Sequence, residues 1–199
     1  LGEGDGVRVG VDDKKKEGER QKLFRIMEEA AMFFQGQLEN KKEAVGYLKL
    51  RGLEDKTIKE FRIGFAPLEW RDLYSYLIDK GWQNEDIEKA GLAKRGNKPA
   101  PSGLPNYYDR FRGRIMFPIS DSSGRVIAFT GRIFPESVPT PEGAGIPTSP
   151  EVIVGAKYLN SPETPIFSKF SVLYGLDKAK ESIRKNNFSI LVEGQMDLV

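Results

Sequence analysis

The sequence predicts an α+β fold in which a helical N-terminal part precedes a mixed β-sheet subdomain, and the chain ends at the first strand of an α/β unit. Three observations support this order. Apolar residues recur at helical spacing over residues 19–91, and two β-rich runs flank a Gly-containing turn over residues 114–132. A further run, residues 188–192, is almost entirely apolar, which is typical of a strand buried on both faces.

The longest predicted helix begins near Glu19. Its apolar residues follow one another at intervals of three and four, so they line one face; they are Leu23, Met27, Ala30, Ala31, Phe34 and Leu38. Residues 1–18 contain five glycines and three consecutive lysines, which predicts a disordered lead-in or linker. We therefore divide the chain into this linker, one subdomain over residues 19–187, and the start of a further domain over residues 188–199.

The composition excludes several kinds of chemistry. The 199 residues include no Cys and no His, so the chain has no disulfide, no thiolate nucleophile, no Ser-His triad and no zinc ribbon. The net charge of +2 excludes a uniformly basic nucleic-acid binder but leaves room for a locally basic face. No apolar run is long enough to span a membrane and no signal peptide opens the chain, so we predict a cytoplasmic location and no membrane partner. The first residue is Leu1 and the last residues follow an apolar run directly, which suggests a piece of a longer protein.

Arginines are concentrated in residues 107–135, where five of them stand against two aspartates. Arg110, Arg112 and Arg114 alternate with other residues, so in an extended chain they project to one side, next to two tyrosines. Such a row suits single-stranded nucleic acid, whose phosphates need cations and whose bases stack on aromatic rings. The alternative is an ordinary polar face of a half-buried hairpin.

A second basic region covers residues 156–185. Lys157 and Asn160 stand in a loop with an aromatic residue and hydroxyls, and this set can hold phosphate and sugar groups. A turn without chemical importance explains the same residues equally well.

Two carboxylates follow the predicted last strand. Glu193 and Asp197 are four residues apart and converge if a helix begins at Gly194. Together they can bind Mg²⁺, or one can serve as a general base, whereas acidic residues also favour helix starts in general.

Four ordered blocks of this sequence resemble the bacterial DNA primases of the DnaG family. They are residues 108–119 (YDRFRGRIMFPI), 124–132 (GRVIAFTGR), 157–176 (with KYLNSPET at its start) and 193–197 (EGQMD). The last block resembles the first acidic motif of the Toprim fold. Arg51, Gly52 and Leu53 and the segment 61–67 also fit the family, so the resemblance covers about residues 20–199.

The resemblance implies a primase that synthesises short RNA primers on single-stranded DNA during replication, as a DNA-directed RNA polymerase. Residues 19–187 would be the N-terminal subdomain of the catalytic core, and residues 188–199 the start of Toprim. Glu193 would be the catalytic, metal-linked carboxylate and Asp197 its companion. The residues implied to bind template or nucleotide are Arg110, Arg112, Arg114, Arg132, Lys157, Asn160 and Lys169.

The resemblance also implies partners and cofactors. They are single-stranded template, ribonucleoside triphosphates, Mg²⁺ or Mn²⁺ at a complete Toprim site, and a replicative helicase bound through a C-terminal region outside this chain. Zinc would belong only to a ribbon domain that this chain lacks, and the chain alone would be inactive in primer synthesis.

Departures from the family pattern are Thr130, Phe170, Gln195 and a long Pro-rich loop over residues 135–150. Two alternatives stay open: a plasmid- or phage-type primase–helicase, and a non-catalytic module that binds single-stranded DNA.

Overall fold

A computed structural model of the chain describes residues 6–97, 106–135 and 156–199. Within these residues the helices are α1 (Gly6–Asn40), α2 (Lys42–Leu50), α3 (Asp55–Glu60), α4 (Asp72–Asp79), α5 (Asn84–Lys89), α6 (Leu176–Asn186) and α7 (Gln195–Leu198). The strands are β1 (Gly64–Ala66), β2 (Ala93–Arg95), β3 (Tyr107–Asp109), β4 (Arg114–Ser120), β5 (Val126–Ile133) and β6 (Tyr158–Asn160). The predicted α+β class is confirmed, with helices first and strands later.

One face of α1 supplies a large part of the core. Its buried residues are Leu23, Ile26, Met27, Ala30, Ala31, Phe34 and Leu38, which confirms the predicted stripe and adds Ile26. Each large side chain of this kind contributes about 1.5–3 kcal/mol through burial. Phe34 meets Phe129 of β5 edge to face, with ring centroids 5.3 Å apart, so α1 packs directly on the sheet.

The start of α1 differs from the prediction. The helix begins at Gly6 rather than near Glu19, so residues 6–18 are helical and not a disordered linker. Residues 13–18 are exposed, and three of them are lysines, which favour a helix through their intrinsic propensity even where no tertiary contact supports it. Residues 1–5 lie outside the described residues, and the division into domains stays a prediction.

The main sheet has the strand order β1-β4-β5-β6, and β2 pairs with β3 in a separate two-stranded sheet. Every described pairing is antiparallel, so the predicted mixed sheet is wrong in that respect. The predicted hairpin is confirmed, since β4 and β5 pair in antiparallel orientation. The short turn between them forces the two strands to run in opposite directions. In that turn Gly124 takes a φ of +84° and its N–H donates to the carbonyl of Asp121 at 2.9 Å. The predicted 135–150 loop lies outside the described residues except for Pro135.

The predicted buried strand over residues 188–192 is wrong in the described structure. These residues form no strand, and Phe188, Ile190 and Leu191 are 63%, 78% and 81% exposed. A strand exists only through hydrogen bonds to a neighbouring strand, and no strand in the described ranges pairs with this segment. The predicted helix after it is confirmed as the short α7. None of the helices that the structure describes combines the length and apolar character that a membrane crossing needs.

Gly64 lets β1 approach α1 closely. A Cβ placed on Gly64 would lie 2.5 Å from the Cβ of Phe34 and 2.6 Å from its backbone carbon. Real Cβ contacts are essentially never this short, and backbone atoms of a packed helix cannot move aside without disturbing the core. The absence of a side chain at this position therefore sets the distance between α1 and the sheet.

We expect Gly64→Ala to lower the free energy of unfolding by about 2–4 kcal/mol, since the added methyl overpacks the α1–β1 contact. Urea titration followed by far-ultraviolet circular dichroism measures the change. The matched control is Gly46→Ala in α2, where nothing lies within 4 Å of the new Cβ. That helical substitution should stabilise the chain by about 0.5–1 kcal/mol. Equal effects at both sites would contradict the packing argument.

Candidate nucleic-acid interface

Arg112 stacks on Trp70 at the surface between β3 and β4. The guanidinium carbon lies 3.4 Å from the centroid of the Trp70 ring, and Tyr108 meets the same ring edge to face at 5.5 Å. Trp70 is 40% exposed. A planar cation held on an aromatic face keeps a fixed position from which it can bind a phosphate. We name Trp70, Tyr108 and Arg112 the aromatic–arginine platform.

Asp109 fixes the backbone that carries this platform. Its buried carboxylate accepts hydrogen bonds from the N–H groups of Leu73 at 2.9 Å and Tyr74 at 2.8 Å, and its own N–H donates to the Trp70 carbonyl at 2.7 Å. Leu73 and Tyr74 belong to the first turn of α4, where N–H groups have no partner inside the helix. Asp109 therefore caps α4 from β3 and holds Trp70 next to its neighbours on β3.

Burial dominates the electrostatics of Asp109. It raises the pKa of the carboxyl group to about 7, although the two backbone hydrogen bonds and the Arg112 guanidinium favour the charged form. The charge of this buried group therefore changes near neutral pH, within hydrogen-bond contact of α4.

Arg110 connects the segment after β3 to β6. Its Nε and Nη2 donate to the carbonyl of Asn160 at 3.3 Å and 3.1 Å, and burial lowers the pKa of its guanidinium. The side chains of Lys157 and Asn160 are exposed at the two ends of β6. Three of the residues that the sequence predicts to bind nucleic acid thus lie around this one short strand.

Arg114 does not share that surface. It is 4% exposed, and its Nη1 donates to the carbonyl oxygens of Gly131 at 3.0 Å and Ala156 at 3.1 Å. The predicted row of three arginines on one side does not form, because residues 110–113 are not in a strand and Gly113 turns the chain with a φ of +58°. Arg114 holds β4, β5 and the segment before β6 together.

Arg132 reaches the acidic end of the chain through Tyr158. Its Nη1 donates to the Tyr158 hydroxyl at 3.1 Å, and its guanidinium carbon lies 5.9 Å from the Tyr47 ring centroid. A Cβ placed on Gly194 would be 3.8 Å from the Tyr158 hydroxyl and 2.8 Å from Oδ2 of Asp197. Tyr158 therefore contacts Arg132 and lies near Gly194, the residue that follows Glu193.

Lys169 stands at the corner of a tight turn. Its N–H donates to Oε1 of Glu163 at 2.9 Å, and the N–H of Ser171 donates to the carbonyl of Ser168 at 3.1 Å. The Lys169 side chain is exposed, and the adjacent Phe170 is 97% exposed. The turn therefore exposes an ammonium group and an aromatic ring at consecutive positions.

Glu193 and Asp197 are both exposed. Their carboxylates are the hard oxygen donors that Mg²⁺ prefers. Among the described residues, however, no three acidic side chains lie close enough to hold a metal ion. The two carboxylates alone do not amount to a metal site.

The sequence reasoning did not single out Trp70. It lies in the short polar connection between β1 and α4, outside the blocks that carry the resemblance. The signal that could have found it was a large aromatic residue among charged neighbours, which core packing does not explain.

A family model described as "DNA primase catalytic core, N-terminal domain" matches residues 33–180 of the 199. The chain belongs to this family. Among curated DNA primases, that of Synechocystis is 40% identical over 184 residues, which are 90% of this chain and 26% of the relative. That of Clostridium acetobutylicum is 37% identical over 204 aligned residues, covering 98% of this chain and 30% of the relative.

Solved DNA primases share the fold. A DnaG primase catalytic domain bound to single-stranded DNA has a TM-score of 0.70 at 35% identity, covering 91% of this chain and 50% of that one. The Aquifex aeolicus primase, with its zinc-binding and RNA polymerase domains, has a TM-score of 0.73 at 30% identity, covering 90% of this chain and 39% of that one. The chain therefore spans about a quarter of the length of the curated relatives. It spans about half of the length of the chain in most of the matched structures.

One predicted departure from the primase pattern has a structural cost. Thr130 is fully buried in β5, and its hydroxyl has no hydrogen-bond partner among the described residues. A buried hydroxyl without a partner costs about 1–3 kcal/mol. A glycine, which the resemblance gives as common there, would avoid that cost.

Proposed function

We propose that this chain forms the template-binding, N-terminal part of a DNA primase catalytic core, and that the complete enzyme synthesises short RNA primers on single-stranded DNA. The observation that carries the proposal is the stacking of Arg112 on Trp70 at 3.4 Å, at a surface that also displays Tyr108. Membership of the primase family and the DNA-bound primase of the same fold support it.

The described residues supply the two features that single-stranded DNA requires. Its phosphates need cations, and in our proposal these are Arg110, Arg112, Arg132, Lys157 and Lys169. Its unpaired bases need flat surfaces, and exposed aromatic rings stand next to two of the cations, at Trp70 and at Phe170. Stacking contributes about 1–3 kcal/mol per base and occurs with every base, because each base has a flat face.

The catalytic part of the proposal goes beyond template binding. Glu193 and Asp197 would contribute two oxygen ligands to a Toprim site for Mg²⁺ or Mn²⁺, which needs more carboxylates than the described residues bring together. When bound, the ion would organise the phosphates of an incoming ribonucleoside triphosphate. Arg132, whose guanidinium donates to the Tyr158 hydroxyl near Gly194, would contact the same phosphates. In this proposal the enzyme works in the cytoplasm with a replicative helicase.

The test is binding of a fluorescein-labelled single-stranded DNA oligomer, measured by anisotropy from 50 to 300 mM NaCl. We expect affinity to fall steeply with salt, and the double variant Arg112→Glu, Lys169→Glu to bind about 100-fold more weakly at 50 mM. The slope of log K against log salt should flatten by about 0.7 for each phosphate that the variant no longer neutralises.

The matched control is Arg51→Glu, Lys56→Glu, which makes the same charge change at exposed residues around the α2–α3 turn. An equal loss of affinity in the control would show that net charge rather than this surface determines binding. Absence of binding by the unchanged chain, even at 50 mM salt, would contradict the proposal.

A further inference from the structure

A cavity of about 400 Å³ opens beside the aromatic–arginine platform, next to the β2–β3 pairing. It is lined by Trp70, Arg71, Gly96, Asn97, Asn106 and Tyr108. The N–H of Gly96 donates to the carbonyl of Asn106, so the two sides of the cavity are joined by the backbone. The cavity is therefore part of a hydrogen-bonded framework.

Its aromatic wall comes from the platform itself. The Trp70 and Tyr108 rings meet at 72° with their centroids 5.5 Å apart, and Arg112 covers a Trp70 face. Tyr108 is held in β3 opposite Lys94 of β2, and Trp70 is held by the hydrogen bond from Asp109 to its carbonyl. This wall offers flat apolar surface beside a fixed cation.

The other side of the cavity is polar because it carries side-chain amide groups. Oδ1 of Asn106 accepts a hydrogen bond from Arg71, which fixes the orientation of the amide and leaves its Nδ2 group as a donor. Within the described ranges, this Nδ2, the Asn97 amide and the Tyr108 hydroxyl make no hydrogen bond. Side-chain amides are the groups that pair with the donor and acceptor edge of a nucleobase.

We propose that this cavity binds one unstacked base of the single-stranded nucleic acid and reads its polar edge through Asn97 and Asn106. The inference rests on the proposed function, and it adds base preference to a surface otherwise built for the backbone. A phosphate is the poorer occupant, because Arg71, the cation that lines the cavity, already donates to Asn106. An apolar ligand would leave the amide groups without partners.

The test uses the 199-residue chain and labelled dodecamers of dA, dC and dT, with a dodecamer of abasic deoxyribose phosphates as the base-free probe. We expect the unchanged chain to prefer one base over the others by about five-fold or more, and to bind the abasic probe most weakly. In Asn97→Ala and in Asn106→Asp the preference should shrink to about two-fold or less. Asn106→Asp keeps the oxygen that Arg71 needs and removes the donor.

Asn186→Ala in α6 is the control, because its amide makes a local bond to the Ser182 carbonyl and lies on an exposed helix. It should keep the full preference, and thermal melting should show all variants folded. The added charge of Asn106→Asp weakens every oligomer alike, so only the ratio between bases reports on the cavity. An unchanged ratio in both cavity variants, or equal binding of all four probes, overturns this inference while leaving the effect of Arg112→Glu and the proposed function intact. Failure of every probe to bind at 50 mM salt overturns both.

Discussion

Replacing Asp109 with alanine is expected to lower the free energy of unfolding by about 3–5 kcal/mol. The substitution leaves the N–H groups of Leu73 and Tyr74 without their acceptor, and each unpaired buried group costs about 1–3 kcal/mol. It also removes the cap of α4 and empties a fully packed position. Urea titration of the variant measures the loss. Asp79→Ala, at the exposed C-terminal end of the same helix, should change stability by no more than about 0.5 kcal/mol.

The raised pKa of Asp109 also makes the stability of the chain depend on pH, with a sign that can be worked out. The pKa of Asp109 is about 7 in the folded chain and near the ordinary value of 3.8 in the unfolded chain, so the folded state binds more protons between these values. The contribution of Asp109 to the free energy of unfolding is therefore fully present below about pH 4 and is lost as the pH rises through 7. The unfolding free energy of the unchanged chain, relative to that of Asp109→Asn, should fall by about 2–3 kcal/mol from pH 5 to pH 8. A relative value that stays constant or rises would refute the raised pKa.

The second large effect concerns Trp70. We expect Trp70→Ala to weaken binding of single-stranded DNA about ten-fold at every salt concentration, without changing the slope of log K against log salt. The number of cations is unchanged, but Arg112 loses the ring that holds it in place, and bases lose a stacking surface. Anisotropy titrations over the same salt series measure both quantities.

The chain contains its own control for this variant. Trp82 also has an arginine over its ring, with the guanidinium carbon of Arg25 5.6 Å from the centroid, but it packs against the hydrophobic core and is not part of the aromatic–arginine platform. Trp82→Ala should leave DNA affinity unchanged in protein that melting shows to be folded. A flatter slope in Trp70→Ala would indicate that the tryptophan controls how many phosphates are bound rather than how firmly one arginine is placed.

The elements that could be predicted from the sequence are those determined by local pattern. The stripe on α1 follows from apolar spacing, and the β4–β5 hairpin follows from two β-rich runs around a turn with a glycine, because a helix face or a turn is decided within a few residues. Residues 188–192 show the limit of this reasoning. Their composition is that of a buried strand, but burial and strand formation depend on a neighbour that local pattern cannot supply.

The candidate site shows the same division. The concentration of positive charge around Arg110 and Arg112 is visible in the sequence. The buried position of Arg114 is not, because it depends on Gly113, which turns the chain and directs Arg114 into the interior. Trp70 precedes Arg112 by 42 positions in the chain, so only folding brings the two together. The two N–H groups that bind the Asp109 carboxylate likewise belong to helix α4, 36 and 35 positions earlier in the chain.

The exposed segment before α7 has a consequence for how the chain behaves at high concentration. Ile190, Leu191 and Val192 are β-branched or bulky residues in consecutive positions, flanked by Phe188, and their backbone hydrogen-bonding groups have no described strand beside them. Short apolar stretches with these properties pair readily with identical stretches of other molecules. Self-association of the isolated chain should therefore begin here, and a charged residue in place of Leu191 is the most direct way to keep the chain monomeric.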